Sequence, residues 1–165
     1  MADAVGVDAA VLAGLLDRLR ERAETVATAE SITAGLVCAV LTSVPGSSAV
    51  VRGGLVVYAT DLKSGLAGVD PGLLDRHGAV HPEVALRLAE GARDRCGATW
   101  GVGLTGVAGP GQQDGVPAGV VYLALAGPGG MSVPRDLWLT GDRHEVRQGA
   151  VRAAVNLLVE RALRW

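Results

Sequence analysis

A serine and a lysine are the residues of this chain whose types could do chemistry together. Ser31 follows a short apolar run, residues 25–29, and precedes a helix-like segment, residues 36–41. A buried strand that ends in a turn of small, polar residues is where α/β folds place reactive groups. The Ser31 hydroxyl is therefore a candidate nucleophile for a carbonyl carbon, with nearby N–H groups to stabilise the oxyanion. In the alternative interpretation, Ser31 or Thr33 only caps the helix.

Lys63 is the candidate base for this serine. It is the only lysine among 15 lysines and arginines. Arginine cannot act as a general base because its pKa stays above about 12, whereas a buried lysine can lose its proton near neutral pH. A neutral lysine beside a serine is a known arrangement for activating a weak nucleophile. The sequence thus predicts a serine–lysine pair, unless Lys63 is an ordinary solvated lysine.

A glycine-rich segment, residues 105–119, is a candidate anion-binding loop. It contains five glycines and two prolines, which exclude a regular element and let backbone N–H groups approach a phosphate or carboxylate. It matches neither a P-loop nor the dinucleotide fingerprint. Arg143 and Arg147, one helical turn apart, could add positive charge toward an anion. Alternatively, the segment is a flexible hairpin loop, and the arginines pair with Asp142 or Glu145 at the surface.

Composition and charge narrow the class of protein. The 165 residues predict a single domain whose core is built from alanine, valine and leucine, because phenylalanine is absent. A net charge of −2 with interspersed charges argues against nucleic acid as a partner. No apolar run reaches the roughly 18 residues that span a membrane, and residues 1–8 lack a signal-peptide pattern. These features predict a cytoplasmic protein that neither enters a membrane nor binds nucleic acid.

Metal chemistry is not indicated. His77 and His81 are four residues apart, but Gly78 and Pro82 argue against a shared helical face, and no third ligand is evident. Cys38 and Cys96 lack metal-ligand spacing and are interpreted as small, buried apolar residues.

The pattern of apolar residues predicts alternating helices and strands that must position these groups. Helices are predicted over residues 8–22, 36–41, 60–67, from Pro71 onward, 82–96 and 143–164. Strands are predicted over residues 25–29, 50–58, 100–105, 118–126 and 132–139, with a bulge at Gly53 and Gly54. The alternation indicates an α/β fold: a three-layer α/β/α sandwich with a mixed, mostly parallel sheet.

Six ordered segments carry a resemblance to a known family. They are residues 30–36 (ESITAGL), 44–48 (VPGSS), 53–58 (GGLVVY) with Lys63, 76–80 (RHGAV), 105–111 (TGVAGPG) and 141–143 (GDR). With them the chain resembles the C-terminal domain of the competence/damage-inducible protein family CinA, a module that also stands alone as nicotinamide-nucleotide amidohydrolase (PncC). The resemblance covers nearly the whole chain beyond the first predicted helix.

The resemblance implies hydrolysis of the carboxamide of nicotinamide mononucleotide to nicotinate mononucleotide and ammonia, without a metal or organic cofactor. Ser31 would be the nucleophile and neutral Lys63 the base, while protonated Lys63 or Tyr58 would give a proton to the departing ammonia. N–H groups of residues 32–34 would hold the oxyanion. The substrate-binding residues would be Thr33, Ser48, Thr105, Gly109, Gly111 and Arg143.

The family also implies a homodimer or larger homo-oligomer.

Two departures from the family pattern support a second hypothesis, which assigns the chain to a different functional class. The family usually has cysteine and glycine where this chain has Ile32 and Ala34, which removes a small polar group beside Ser31 and stiffens the turn. On that hypothesis, the domain is a non-catalytic nucleotide-binding or assembly module that has lost turnover.

Overall fold

The computed structural model describes residues 1–163, and within them a sheet of five strands separates two layers of helices. The strands are β1 Val26–Glu30, β2 Val51–Val56, β3 Trp100–Gly106, β4 Val120–Ala126 and β5 Ser132–Trp138. The helices are α1 Ala9–Glu21, α2 Leu36–Leu41, α3 Thr60–Gly65, α4 Pro71–His77, α5 Pro82–Cys96 and α6 Arg143–Ala162. The predicted end of the last helix, Arg164, lies outside the described residues.

The sheet has the strand order β2-β1-β3-β4-β5. β1 pairs in parallel with β2 and β3, whereas β4 pairs antiparallel with β3 and β5. The predicted three-layer α/β fold with a mixed sheet is confirmed, although "mostly parallel" is loose for a sheet with as many antiparallel as parallel pairings. Val26 pairs with Val51 and Ala27 with Gly53, so the register shifts by one residue at the predicted bulge.

Alternation along the strands divides the interior between the two faces of the sheet. The main core lies between the sheet and the helices α1, α2 and α6. A second core lies on the opposite face, under α4 and α5. Trp100 is fully buried on the first face, and its indole N–H donates to Glu24 Oε2 at 2.8 Å.

α5 lies very close to the sheet because the residues between them are small. A Cβ atom at Gly101 or Gly103 of β3 would overlap the backbone of α5 at Ala89 or Ala85. This face is therefore packed largely with alanine and glycine, consistent with a composition that has no phenylalanine.

The parallel arrangement decides where functional residues meet. β1, β2 and β3 run in the same direction, so the segments that follow them, which begin at Ser31, Val57 and Val107, leave the same edge of the sheet. The carboxyl ends of parallel strands are the usual location of ligand sites in α/β folds. No helix among residues 1–163 has the length and apolar character needed to cross a membrane.

Candidate active site

Ser31 and Lys63 are in contact at this edge of the sheet. Lys63 Nζ lies 3.0 Å from Ser31 Oγ, 2.9 Å from the carbonyl oxygen of Val57 and 3.2 Å from that of Tyr58. The Lys63 residue is 1% exposed and Ser31 is 8% exposed. The predicted pair is therefore present, and the alternative of a solvated lysine is wrong.

The surroundings of the Lys63 amine favour its neutral form. Burial lowers the pKa of Lys63 from 10.5 to about 8, while the carboxylate of Asp61 opposes part of this shift. A neutral amine has two N–H groups and one lone pair. If the two N–H groups donate to the carbonyls of Val57 and Tyr58, the lone pair is left for the Ser31 hydroxyl. The three contacts thus orient a base toward the candidate nucleophile.

Helix α2 does not supply free N–H groups to Ser31. The Glu30 side chain, which is fully buried, accepts hydrogen bonds at its two oxygens from the N–H groups of Gly35, Val37 and Cys38 and from the Thr28 hydroxyl, at 2.8–3.0 Å. A carboxylate here also interacts favourably with the positive end of the helix dipole. The N-cap residue of α2 is Gly35, so the alternative in which Ser31 or Thr33 caps the helix is wrong.

The turn after Ser31 has its own unused donors. The N–H of Ala34 donates to the carbonyl of Ser31 at 3.2 Å, so it is not available for an oxyanion. The N–H groups of Ile32 and Thr33 have no hydrogen-bond partner among residues 1–163. Ile32 is 4% exposed and Thr33 is fully buried. Buried N–H groups are rarely left unpaired, so these two are the candidate oxyanion donors.

Ala34 adopts a backbone conformation that suits glycine. Its φ is 50°, in the left-handed region, which costs an alanine roughly 1–2 kcal/mol. We expect Ala34→Gly to raise the free energy of unfolding by about 1 kcal/mol, because it removes this strain. Urea-induced unfolding measures this change. Ala23→Gly, at a φ of 53° far from the cavity, is the matched control and should gain a similar amount. The opposite change is expected for Ala10→Gly, within α1, and a loss in Ala34→Gly would contradict the expectation.

A cavity of about 290 Å³ lies beside the serine–lysine pair. Small-molecule sites usually have volumes of roughly 300–1,000 Å³, so this cavity is near the lower end of that range. Within the described part of the chain, no aspartate or glutamate lines this cavity. The lining residues are Ser31, Ile32, Tyr58, Lys63, Ala79, Val80, Thr105, Gly106, Val107, Ala108, Gly109, Gly111, Gln112, Gln113 and Arg143.

The glycine-rich segment forms one wall of this cavity. The N–H groups of Ala108, Gly109, Gly111 and Gln112 have no hydrogen-bond partner among the described residues. Such a group of N–H donors is typical of sites for phosphate or carboxylate.

Arg143 and Tyr58 meet at the mouth of the cavity. Arg143 donates to the carbonyl oxygen of Gly109 at 3.2 Å and to the Tyr58 hydroxyl at 3.1 Å, so it does not pair with Asp142 or Glu145. Asp142 instead caps α6 in a capping box with Glu145. Tyr58 is 57% exposed, and Lys63 contacts its backbone carbonyl rather than its hydroxyl.

The other predicted binding residues have different locations. Thr105 lines the cavity, and its hydroxyl donates to the carbonyl oxygen of Ala79 at 2.7 Å. Thr33 and Ser48 are not among the lining residues. Thr33 is fully buried, with a hydroxyl that has no partner in residues 1–163, and Ser48 is exposed. Arg147 also lies outside the lining and donates to the carbonyl oxygens of Ile32 and Thr33.

Sequence reasoning missed several lining residues. Gln112 and Gln113 lie in the predicted anion-binding segment but were not singled out. Ala79 and Val80 belong to one of the segments that carry the family resemblance, and that resemblance was the signal that could have identified them.

No group of three or more metal-binding side chains occurs in the described part of the chain. His77 and His81 stack with a centroid separation of 4.3 Å. Both cysteines are free, and they are partly buried rather than buried as predicted.

Comparison with known sequences identifies one family. The model of the CinA C-terminal domain matches residues 8–162. A CinA-like protein of Frankia casuarinae is 47% identical over 153 residues, which are 93% of this chain and 35% of that protein. A CinA-like protein of Myxococcus xanthus is 46% identical over 162 residues, 96% of this chain and 38% of that protein. The chain therefore spans a little over a third of the length of these curated relatives.

Solved structures share the fold. The competence/damage inducible protein CihA from Agrobacterium tumefaciens is 35% identical with a TM-score of 0.87, over 92% of this chain and 93% of that one. The competence damage-inducible protein A (ComA) from Klebsiella pneumoniae is 29% identical with a TM-score of 0.89, over 95% of this chain and 98% of that one. These chains are matched over nearly their whole lengths.

Proposed function

This chain belongs to the CinA C-terminal domain family, and on that basis we propose that it hydrolyses the carboxamide of nicotinamide mononucleotide to nicotinate mononucleotide and ammonia. The hydrogen bond of 3.0 Å between Ser31 Oγ and the buried Lys63 Nζ is the observation that carries this assignment. It joins a hydroxyl to an amine whose pKa, lowered to about 8, lets an appreciable fraction be neutral near neutral pH.

Ser31 and Lys63 perform the first half of the reaction. Ser31 Oγ attacks the carboxamide carbon while Lys63 accepts the hydroxyl proton, so an O–C bond forms and the carbonyl electron pair moves to oxygen. The N–H of Ile32, a residue that lines the cavity, stabilises the resulting oxyanion, and the unpaired N–H of the next residue, Thr33, is the second candidate donor. When the C–N bond breaks, the protonated Lys63 returns the proton to nitrogen, and ammonia leaves. Tyr58 is a second candidate donor because its hydroxyl lies at the cavity mouth.

Water completes the turnover. Lys63, again neutral, removes a proton from water as the water oxygen bonds to the ester carbon. The C–Oγ bond then breaks, and Lys63 returns the proton to Ser31 Oγ. One water is consumed for each amide, and the products are the carboxylic acid and ammonia, which at neutral pH are present as carboxylate and ammonium. No step needs an oxidant or a reductant, and we place the reaction in the cytoplasm.

The phosphate of the nucleotide is assigned to the glycine-rich wall. Four unpaired N–H groups from Ala108 to Gln112 and the guanidinium of Arg143 lie on this side of the cavity. The lack of carboxylates among the lining residues also favours an anionic ligand. In the structure Arg143 binds Gly109 and Tyr58, so substrate binding exchanges one or both of these contacts for the phosphate. Gly109, Gly111 and Thr105 remain proposed binding residues.

Ammonia release from nicotinamide mononucleotide tests the proposed function. The purified protein is expected to form ammonia and nicotinate mononucleotide in equal amounts. Ser31→Ala should lower kcat/KM roughly 10³-fold or more, because it removes the hydroxyl that contacts the Lys63 amine. Ser132→Ala, an exposed serine at the start of β5, is the matched control and should retain full activity.

Other results separate the alternatives. Binding of the nucleotide without ammonia release would exclude the amidase and support the non-catalytic binding module. Release of ammonia from a different amide would retain the serine–lysine chemistry and change the substrate. Turnover that survives in Ser31→Ala would show that another group is the nucleophile.

A further inference from the structure

In the turn formed by residues 31–34, the carbonyl oxygens of the first three residues accept hydrogen bonds, but two of the N–H groups donate none. The carbonyl of Ser31 accepts from the N–H of Ala34. Arg147 Nε donates to the carbonyl of Ile32 and Arg147 Nη2 to the carbonyl of Thr33, each at 3.1 Å. The N–H groups of Ile32 and Thr33 have no partner among the described residues.

Peptide geometry connects these two observations. In a trans peptide the C=O and N–H groups point in opposite directions. The carbonyl of Ile32 and the N–H of Thr33 belong to the same trans peptide unit. By holding this carbonyl, the guanidinium of Arg147 turns the N–H of Thr33 away from α6. The second bond, to the carbonyl of Thr33, acts together with the N–H of Leu36, which donates to the same oxygen at 3.2 Å, and both hold the next peptide unit, whose N–H closes the turn on Ser31.

We propose that Arg147 is a positioning residue for the oxyanion site, and that its two hydrogen bonds to the carbonyls of Ile32 and Thr33 hold the unpaired N–H groups in place beside Ser31. The inference rests on the proposed amide hydrolysis. Arg147 has no direct contact with the cavity, whereas Arg143, one helical turn earlier, lines it. The two arginines, one helical turn apart on α6, therefore have separate roles. Arg143 faces the ligand cavity, and Arg147 binds backbone carbonyls.

The shape and the constant charge of arginine suit this position. Its planar guanidinium presents donors in a fixed fork, so two adjacent carbonyls are held at a set separation. It also stays protonated at all relevant pH values, so the turn keeps its shape while Lys63 gains and loses a proton. Lysine has one flexible ammonium group and cannot fix both peptide units in the same way.

Kinetics of Arg147→Met and Arg147→Lys on nicotinamide mononucleotide test the inference. Misaligned oxyanion donors act on the transition state, so Arg147→Met should lower kcat about 10²-fold with little change in KM. The pH at which the rate is half-maximal should not move, because Lys63 is untouched. Arg147→Lys should have an intermediate kcat. The matched control is Arg152→Met, which removes a partly buried guanidinium that donates to the carbonyl of Val5 from the same helix.

The outcomes are distinct. A kcat for Arg147→Met no lower than that of Arg152→Met, or a loss carried by KM, would overturn the positioning role. Thermal unfolding compares the Tm of Arg147→Met with that of Arg152→Met and shows whether the two variants are equally stable. If the wild-type protein releases no ammonia, the proposed function fails, and amide hydrogen exchange then decides the inference. Faster exchange confined to residues 31–34 in Arg147→Met supports it, and unchanged exchange overturns it.

Discussion

Lys63→Met is expected to lower kcat/KM for nicotinamide mononucleotide about 10³-fold while the protein stays folded. General base catalysis by a positioned side chain contributes roughly 10²–10⁴-fold, and residues 1–163 place no other titratable group in hydrogen-bond contact with Ser31 Oγ. The variant should remain stable, because removing a buried cation offsets the loss of hydrogen bonds to Val57 and Tyr58. Moving a lysine pKa from 10.5 to about 8 corresponds to about 3 kcal/mol.

Lys63→Arg is the matched control for the role of the base. Arginine keeps the positive charge and the hydrogen-bond donors but cannot lose its proton. If Lys63 acts as a base, this variant should be as inactive as Lys63→Met. Substantial activity in Lys63→Arg would show that the side chain acts as a cationic donor instead.

The pH dependence follows from the same titration. Only the neutral amine can accept the Ser31 proton, so kcat/KM should rise as pH increases through about 8 and level off above it. Because Lys63 is the only lysine, a protein labelled at the lysine ε-carbon gives a single side-chain NMR signal whose titration measures this pKa directly. A midpoint near 10.5 would contradict the assignment of a base.

Stability should follow the same group with a defined sign. The pKa of Lys63 is lower in the folded chain, so between about pH 8 and pH 10.5 the unfolded chain holds a proton that the folded chain has released. The contribution of Lys63 to the free energy of unfolding therefore rises with pH across this interval. Comparison with Lys63→Met, which lacks this titration, isolates the effect.

Glu30→Gln is expected to lower the free energy of unfolding by about 3–5 kcal/mol. Each carboxylate oxygen of Glu30 accepts two hydrogen bonds in a fully buried setting. In glutamine one oxygen becomes an NH₂ group. If this group faces Thr28 and Cys38, the Thr28 hydroxyl can turn to accept one of its N–H groups, but its second N–H and the N–H of Cys38 lose an acceptor, and each unsatisfied group costs about 1–3 kcal/mol. The loss is a large part of the total stability of a domain, which is roughly 5–15 kcal/mol.

Urea-induced unfolding measures this loss, with Glu21→Gln as the matched control. Glu21 forms an exposed ion pair with Arg18, so its substitution should change stability by less than about 1 kcal/mol. Turnover of Glu30→Gln should also fall, because Glu30 adjoins Ser31 and fixes the start of α2. A Glu30→Gln variant as stable as Glu21→Gln would show that the carboxylate does not organise this turn.

Local signals were sufficient for most of the secondary structure. The predicted and observed bounds of α2 and α5 agree, because Pro82 and Gly97 mark the ends of α5 and an apolar stripe runs between them. His81 caps α5, because its Nδ1 accepts a hydrogen bond from the N–H of Glu83 at 3.2 Å. The alternation predicted a mixed sheet, but it did not give the direction of each strand, since pairing depends on contacts between residues distant in the chain.

The chemistry of single side chains was also accessible to sequence reasoning. A lone lysine and a serine at a strand end suggested a nucleophile and a base, and both lie in one buried contact. Glu30 was not recognised, because nothing in its neighbours indicates that its carboxylate turns forward to the start of α2. Arg143 and Arg147 had the same predicted role, but they face different partners.

By itself, the sequence determined which residue types are available and the order of the elements that carry them, because periodicity and turn chemistry act over short stretches of chain. Only the tertiary structure decided the protonation preference of Lys63, the occupation of the α2 terminus by Glu30 and the division of tasks between Arg143 and Arg147. Burial and hydrogen-bond direction depend on what packs around a group. In this fold those surroundings come from strands and helices far apart in the chain.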